Sequence, residues 1–316
     1  MTQNILDTLQ TGAVFADLAP LGLIAFSGED TATYLQGQLT NDVRKLAAGA
    51  AQYSGFCSPK GRLLANFTLW LHNGDTFLQL PAELQEAIQK RLSMFILRSK
   101  VKARDARAEI VRFGVAGNAA ASLVEAVAGA LPAADMGVIG TSPASVLRYS
   151  ATRYQINDDA ESAAAIQAGL AAQATPMDAA IWQWLEIRAG IPTILPATQE
   201  QFVPQMVNFD LTNSVNFQKG CYTGQEIVAR TQYLGKLKRR MYLVHSDRPA
   251  APGDELYSAD MEGQASGMIV NAQPAPNGGW DALAVIQISS ADAYPIHLKA
   301  LDGALLTIEP LPYALA

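Results

Sequence analysis

The hydrophobic and polar positions of this chain fall into two rhythms. Over residues 82–97, Leu84, Ile88, Leu92 and Phe95 recur at spacings of four, four and three, which lays one apolar face along a helix. Over 176–189, Met177, Ile181, Trp184, Leu185 and Arg188 share a face. Pro176 suits the first helical position there, Thr175 the cap, and Gly190 stands where a left-handed terminator belongs. Alanine-rich helices are predicted over 119–130 and 159–172, and a shorter one from Asp30 or Thr31 through Tyr34, Leu35 and Leu39 to residues 41–42.

The second rhythm is that of strands. Residues 18–27, 52–58, 62–71, 76–80 and 109–116 read as β, with Ser58-Pro59-Lys60-Gly61 turning a hairpin and His72-Asn73-Gly74-Asp75 the next. Residues 146–156 make one bent strand or two short ones, whereas 132–143 is small-residue-rich and reads as a surface loop. From 191 to 210 the pattern is irregular, a length of connection that in a compact protein is functional or disordered. After residue 241, short β-prone runs are punctuated by Pro252-Gly253-Asp254, Asn277-Gly278-Gly279 and Asp302-Gly303, as in a small barrel or sandwich. Strand–helix units mixed with a hairpin meander give an α+β fold with helices covering its sheets.

Composition narrows this picture. At 316 residues the chain outgrows a single core, so two or three domains are expected. Hydrophobic content of 49% against 16% charged residues describes an ordered protein, and a net charge of -6 argues against a general nucleic-acid coat. Two cysteines, Cys57 and Cys221, are too few for a disulfide framework and fit a reducing compartment. Residues 1–10 lack the basic-then-apolar pattern of a signal peptide, and no apolar run reaches a membrane-spanning length. The chain therefore reads as cytoplasmic, with no membrane partner.

The densest chemistry lies in residues 216–230, Asn-Phe-Gln-Lys-Gly-Cys-Tyr-Thr-Gly-Gln-Glu-Ile-Val-Ala-Arg. Gly220 and Gly224 set the shape of a loop presenting Cys221 and Tyr222, or let a ligand approach closely. A tight turn around a buried cysteine is the other reading. Between residues 211 and 240 the cations are Lys219, Arg230, Lys236, Lys238, Arg239 and Arg240, and the only acid is Glu226. That local reversal of charge attracts anions, and Arg230 offers a fork to carboxylate or phosphate. Lys219, two residues from Cys221, is placed to lower the thiol's pKa. The other cationic run, from Arg98 to Arg107, reads as a solvated face. His72, His245 and His297 are scattered, so no metal-ligand spacing is present, and neither a phosphate-binding loop nor a nucleophile elbow occurs.

Lys219-Gly220-Cys221-Tyr222-Thr223-Gly224-Gln225-Glu226 resembles the K-G-C-Y-x-G-Q-E signature of the YgfZ family, folate-binding relatives of the glycine cleavage T-protein. The similarity continues in Leu35-Gln36-Gly37-Gln38-Leu39-Thr40-Asn41-Asp42-Val43, Ala189-Gly190-Ile191-Pro192 and Phe202-Val203-Pro204-Gln205. It implies two interleaved ferredoxin-like subdomains over 1–235 and a C-terminal β-barrel over 236–316, arranged around a central cavity. It also implies tetrahydrofolate or another folate derivative as cofactor, and a role in iron–sulfur cluster assembly or repair that indirectly supports tRNA modification. Cluster-assembly proteins or iron–sulfur enzymes would be the partners, and direct RNA binding ranks last.

Under that resemblance Cys221 is the redox or sulfur-handling group and Lys219 its activator. Tyr222, Gly224, Gln225, Glu226, Arg230, Asn66 and Arg188 are the folate-facing candidates, and no metal ligand is expected. Two positions depart from the T-protein pattern. Its paired aspartates are replaced by Ala65-Asn66, and an amide neither takes a proton nor stabilises a developing cation by charge, so true aminomethyl transfer is not expected. The acid that would hold a pterin at the end of the 176–189 helix is replaced by Arg188. A folate-dependent aminomethyltransferase or demethylase of the T-protein type remains the alternative.

Overall fold

The computed structural model describes residues 3–141 and 144–315. It is an α+β fold built on three sheets, divided into two compact units that exchange segments of chain. One unit comprises Met1–Leu35, Val43–Tyr53 and Phe67–Trp182; the other comprises Gln36–Asp42, Ser54–Asn66 and Gln183–Ala316.

In the first unit, a six-stranded sheet runs in the order Thr175–Pro176, Val14–Asp17, Ile110–Ala116, Arg153–Asp159, Ala144–Ser150, Gly137–Thr141. Its edge pairing, Val14 with Thr175, is parallel and the others are antiparallel. The helices Ala120–Ala128 and Ala163–Ala171 bury Leu123, Val124, Ile166 and Leu170 against Phe113, Val115, Tyr154 and Ile156. A second cluster packs Leu23, Trp70, Phe77, Leu147, Tyr149 and Trp182 together. A buried polar chain crosses this unit: Arg112 donates to Gln79 Oε1 (3.2 Å), Gln79 to Gln155 (2.9 Å) and Gln155 to Asn157 (2.6 Å). Each residue is bonded to the next, as buried polar groups generally are, although Arg112 Nε itself is left without a partner among the described residues.

The meander expected from the sequence is present in the five-stranded sheet, ordered Ala51–Cys57, Leu63–His72, Asp75–Pro81, Leu21–Ser27, Lys102–Asp105. The helix after it, Ala82–Ser93, buries Leu84, Ile88 and Leu92 but stops two residues before Phe95, which is half exposed. Two readings need correction. Residues 137–141 form an edge strand where a loop was expected; residues 142–143 of that stretch lie outside the described residues. Thr175 and Pro176 do not start the following helix. They form a short strand, and Asp178 caps Ala179–Arg188 by accepting from Ala180 N at 2.8 Å. Gly190 does adopt the left-handed conformation, with φ +68. The N-terminal residues 3–11 form a helix; residues 1–2 lie outside the described set.

The second unit holds the sheet ordered His297–Leu298, Glu255–Tyr257, Ala265–Pro274, Trp280–Gln287, Arg239–Ser246, Thr307–Glu309, which accounts for each β-prone run after residue 241. Met241, Leu243, Leu283 and Val285 on one face pack with Cys57, Leu63, Phe202, Phe209 and Val228. The opposite face packs Val244, Ile269 and Ile286 with Leu256 and Leu298. The irregular run 191–210 carries short 3-10 turns at Pro196–Thr198 and Pro204–Val207 and supplies core residues on the way. Among the described residues no helix is long and apolar enough to cross a membrane.

Candidate functional site

Three stretches distant in sequence, 36–42, 54–66 and 213–224, are knitted together in the second unit. Thr40 is the centre of the knot. Its amide donates to Gly55 O (2.8 Å), its hydroxyl donates to Ser214 O (2.8 Å) and accepts from Gly55 N (2.7 Å), and its carbonyl accepts from Asn216 N (3.0 Å). Asn41 adds a bond from Nδ2 to Asn213 O at 2.6 Å. The helix predicted to reach residues 41–42 ends at Gln36, and Thr40 gives its backbone groups to Gly55 and Asn216 instead of continuing it. The polar Thr40 and Asn41 right after Leu39 were the available signal, and Gly37 was the break.

Lys219 closes the knot. Only 7% exposed, it sends its ammonium to the carbonyls of Gln36 (2.7 Å), Leu39 and Asn41 (3.0 Å). An ammonium carries three donors and no acceptor, so three converging carbonyls match its capacity. The same nitrogen stands 4.9 Å from the centre of the Tyr222 ring, a cation–π distance. The lysine thus fastens the 36–42 segment to the loop that follows it.

The far side of the loop is set by glycines. Gly224 has φ +81 and precedes the Gln225–Tyr233 helix; a Cβ there would lie 2.4 Å from Ser58 O and 2.8 Å from Gly61 Cα. Gly61, at φ +68 in the Ser58–Arg62 turn, would collide with Ile227 at 2.8 Å. Backbone therefore packs on backbone, which only residues without a side chain permit. Gly220 is different: a Cβ added there meets nothing within 4 Å, so its face is open.

Between these fixed ends Cys221 is exposed, whereas Cys57 is fully buried. Burial pushes the Cys57 thiol up to about 12, so it is an inert core residue. Tyr222 is buried, and burial, followed by the proximity of Cys57, holds its hydroxyl above the ordinary range. Cys221 is the one thiol of the chain available for chemistry.

The remaining predicted residues divide. Gln225, Glu226 and Arg230 lie on the helix behind the loop; Glu226 and Arg230 are exposed, and among the described residues they form no ion pair with each other. Asn66 sits elsewhere in the unit. Its Nδ2 donates to Pro192 O and its Oδ1 accepts from Ile194 N, both at 2.8 Å, so the amide clamps the 192–194 turn. Arg188 donates to Asp281 Oδ2 (3.4 Å) and to Glu309. Asp281 also takes Trp184 Nε1 (2.8 Å) and His245 Nδ1 (2.8 Å). Ligand atoms of His245, Asp281 and Glu309 come within 4.8 Å of one another, but Arg188 already neutralises both acids, and a cation would have to displace it.

The basic stretch also resolves into parts. Lys219 is held by carbonyls, Arg240 makes a two-pronged pair with Asp210 (2.6 and 2.8 Å), and Arg239 points to Ala265 O. Arg230, Lys236 and Lys238 have no side-chain partner among the described residues.

Residues 3–153 match the GCVT N-terminal domain. The chain is 32% identical over 303 residues to the tRNA-modifying protein YgfZ of Yersinia pestis (strain Pestoides F), covering 93% of this chain and 90% of that protein. It is 30% identical over 319 residues to the protein of the same name from Yersinia enterocolitica, covering 99% and 96%. Among solved structures, the glycine cleavage system aminomethyltransferase T from Bartonella henselae matches with a TM-score of 0.80 at 17% identity, over 98% of this chain and 89% of that one. At that identity the likeness is one of fold.

Proposed function

From the premise that this chain belongs to the YgfZ family, we propose that it is a folate-binding accessory protein that supports iron–sulfur cluster assembly or repair and, through iron–sulfur enzymes, tRNA modification. The observation that carries the reading is the contrast between two thiols: Cys57 is sealed in a core, and Cys221 is exposed on a loop pinned at both ends. A protein that needed only a small apolar residue at 221 has no reason to present it to solvent. In this reading Cys221 is the sulfur-handling or redox group.

The side chains around the loop suit a folate. Glu226 is an exposed carboxylate with no side-chain partner among the described residues, suited to the adjacent N–H donors of a pterin edge. Gln225 and the open face of Gly220 extend that surface, and Tyr222 and Gly224 fix its shape. Asn66 and Arg188 are engaged by protein groups, so their part is to hold the surrounding fold. The reduced pterin, when bound, supplies a one-carbon carrier; the chain's own residues bind and orient it. The architecture expected for the family, two ferredoxin-like subdomains and a terminal barrel, is supported by the T-protein likeness and by the three sheets.

Nothing at position 66 favours the transferase alternative, since an amide bonded at both ends to backbone is no acid or base. Two measurements test the proposal. Titrating tetrahydrofolate by calorimetry should give saturable binding, and Cys221→Ala should lose support of tRNA thiomethylation in cells while keeping its melting curve. Full activity of that variant, or formation of methylene-tetrahydrofolate from a methylamine donor by the purified protein, would refute it.

A further inference from the structure

Six cations crowd residues 211–240, and the structure sorts them. Three are fixed by protein groups; the other three, Arg230, Lys236 and Lys238, all line a single groove of about 530 Å³. The groove runs along the end of the Gln225–Tyr233 helix and the loop that leads into the Arg239–Ser246 strand. Its other walls are mostly aliphatic, from Val203, Met206, Ile227, Leu234 and Leu237 with Thr231 and Gly235 between them, and no acid lines it. Leu234 is 83% exposed and Ile227 38%. Isolated exposed leucines are ordinary, but an aliphatic surface rimmed by unpaired charge of one sign marks an interaction site.

We propose that this groove docks an acidic peptide segment of a partner protein, with aliphatic side chains seated against Leu234 and Ile227 and carboxylates facing Arg230, Lys236 and Lys238. Charge complementarity decides the sign of the partner, since the rim is cationic on a chain of net charge -6. The aliphatic walls decide its class. Phosphate groups gain nothing from Leu234, Leu237 and Met206, and a nucleic acid would ask for stacking platforms along its path. Tyr233, the nearby exposed aromatic, is not part of the lining and instead packs edge-on against Phe217 at 6.2 Å. Exposed apolar anchors flanked by charge are the pattern of peptide-in-groove recognition. The inference does not depend on folate binding, because Leu234, Lys236 and Lys238, the residues exchanged in its test, are not among those proposed to hold the folate.

The test uses the full chain and a phage-displayed library of random peptides about twelve residues long. Selection on the wild-type protein, with counter-selection on Lys236→Glu/Lys238→Glu, should enrich sequences that combine Asp or Glu with Leu, Ile or Phe. In fluorescence anisotropy the enriched peptide should bind at least tenfold more weakly to the double charge reversal, about 1.4 kcal/mol, and severalfold more weakly to Leu234→Ser. Raising salt should weaken it further. The exchanged residues are largely exposed, so melting curves should be unchanged and folding is not a confounder. The proposal is overturned if no acidic–aliphatic sequence is enriched, or if the variants bind the peptide as the wild type does. It is equally overturned if a single-stranded RNA of matching charge binds the groove more tightly than the peptide.

Discussion

Replacing Lys219 with Met separates two roles for this lysine, a fastener of the fold and an electrostatic activator of Cys221. Methionine keeps the length and the apolar stem and removes the ammonium. Three carbonyls, of Gln36, Leu39 and Asn41, then lose their donor. Hydrogen bonds to a charged group contribute roughly 1.5–3 kcal/mol each, so the gross loss is roughly 5–9 kcal/mol. Returning a buried ammonium's worth of desolvation offsets several kcal/mol of that, and the cation–π contact with Tyr222 adds about 1 kcal/mol to the loss. The net is about 3 kcal/mol. For a unit of about 150 residues this lowers Tm by about 6–12 °C. Calorimetric melting measures it directly, and hydrogen exchange should show the amides of residues 39–41 and 55 opening first. Lys219→Arg should fall between, because a planar fork cannot address three converging carbonyls as a rotating ammonium does. Should Lys219→Met melt within about 1 kcal/mol of wild type while Cys221 alkylates more slowly, the fastener account is wrong and the activator account right.

Iodoacetamide at pH 8 should label Cys221 in the native protein within minutes and Cys57 only after denaturation, a difference that peptide mass spectrometry reads. Gly224→Ala should destabilise by about 2–4 kcal/mol, since it forces a side chain to φ +81 and onto Ser58 O. Gly220→Ala, with open space around it, should stay within about 0.5 kcal/mol in the same urea melts. Asn66→Asp sets a carboxylate against Pro192 O and should cost about 2–3 kcal/mol at pH 7. The protonated acid alone can donate to that carbonyl, so its folded pKa is raised; the penalty is full above that pKa, shrinks as pH falls through it and is gone below the unfolded value of about 3.9. Paired urea melts at pH 7 and pH 4 check the sign.

The sequence was most readable where a pattern repeats. The 51–81 meander, the core of the 82–93 helix and the strands after 239 declared themselves through alternation, helical spacing and turn residues. Errors arose where tertiary bonding overrode local preference. Leu39 fits a helical face, but the backbone around it bonds to residues 55 and 216, and such partners leave no local trace. The strand at 137–141 was hidden because Gly137 and Gly140 mimic a loop while sheet pairing with 144–148 holds them extended. At the site, the glycine-framed cysteine was evident from its neighbours. The direction of the Lys219 side chain was not, because its carbonyl partners lie about 180 positions earlier. Proximity in sequence favoured Cys221, and geometry sent the ammonium to the backbone.

That reach across the chain has a consequence for the order of events during synthesis. Residues 36–42 and 54–66 leave the ribosome long before their partners at 213–224 exist, so the carbonyl and the hydroxyl donor of Thr40 must wait in water for Asn216 and Ser214. Closing so long a loop is entropically costly and slow relative to local structure. The exposed Cys221 therefore takes its place on a pinned loop only once residues 213–224 have emerged to meet the earlier segments, and a chain lacking those segments carries Cys221 on an unshaped loop.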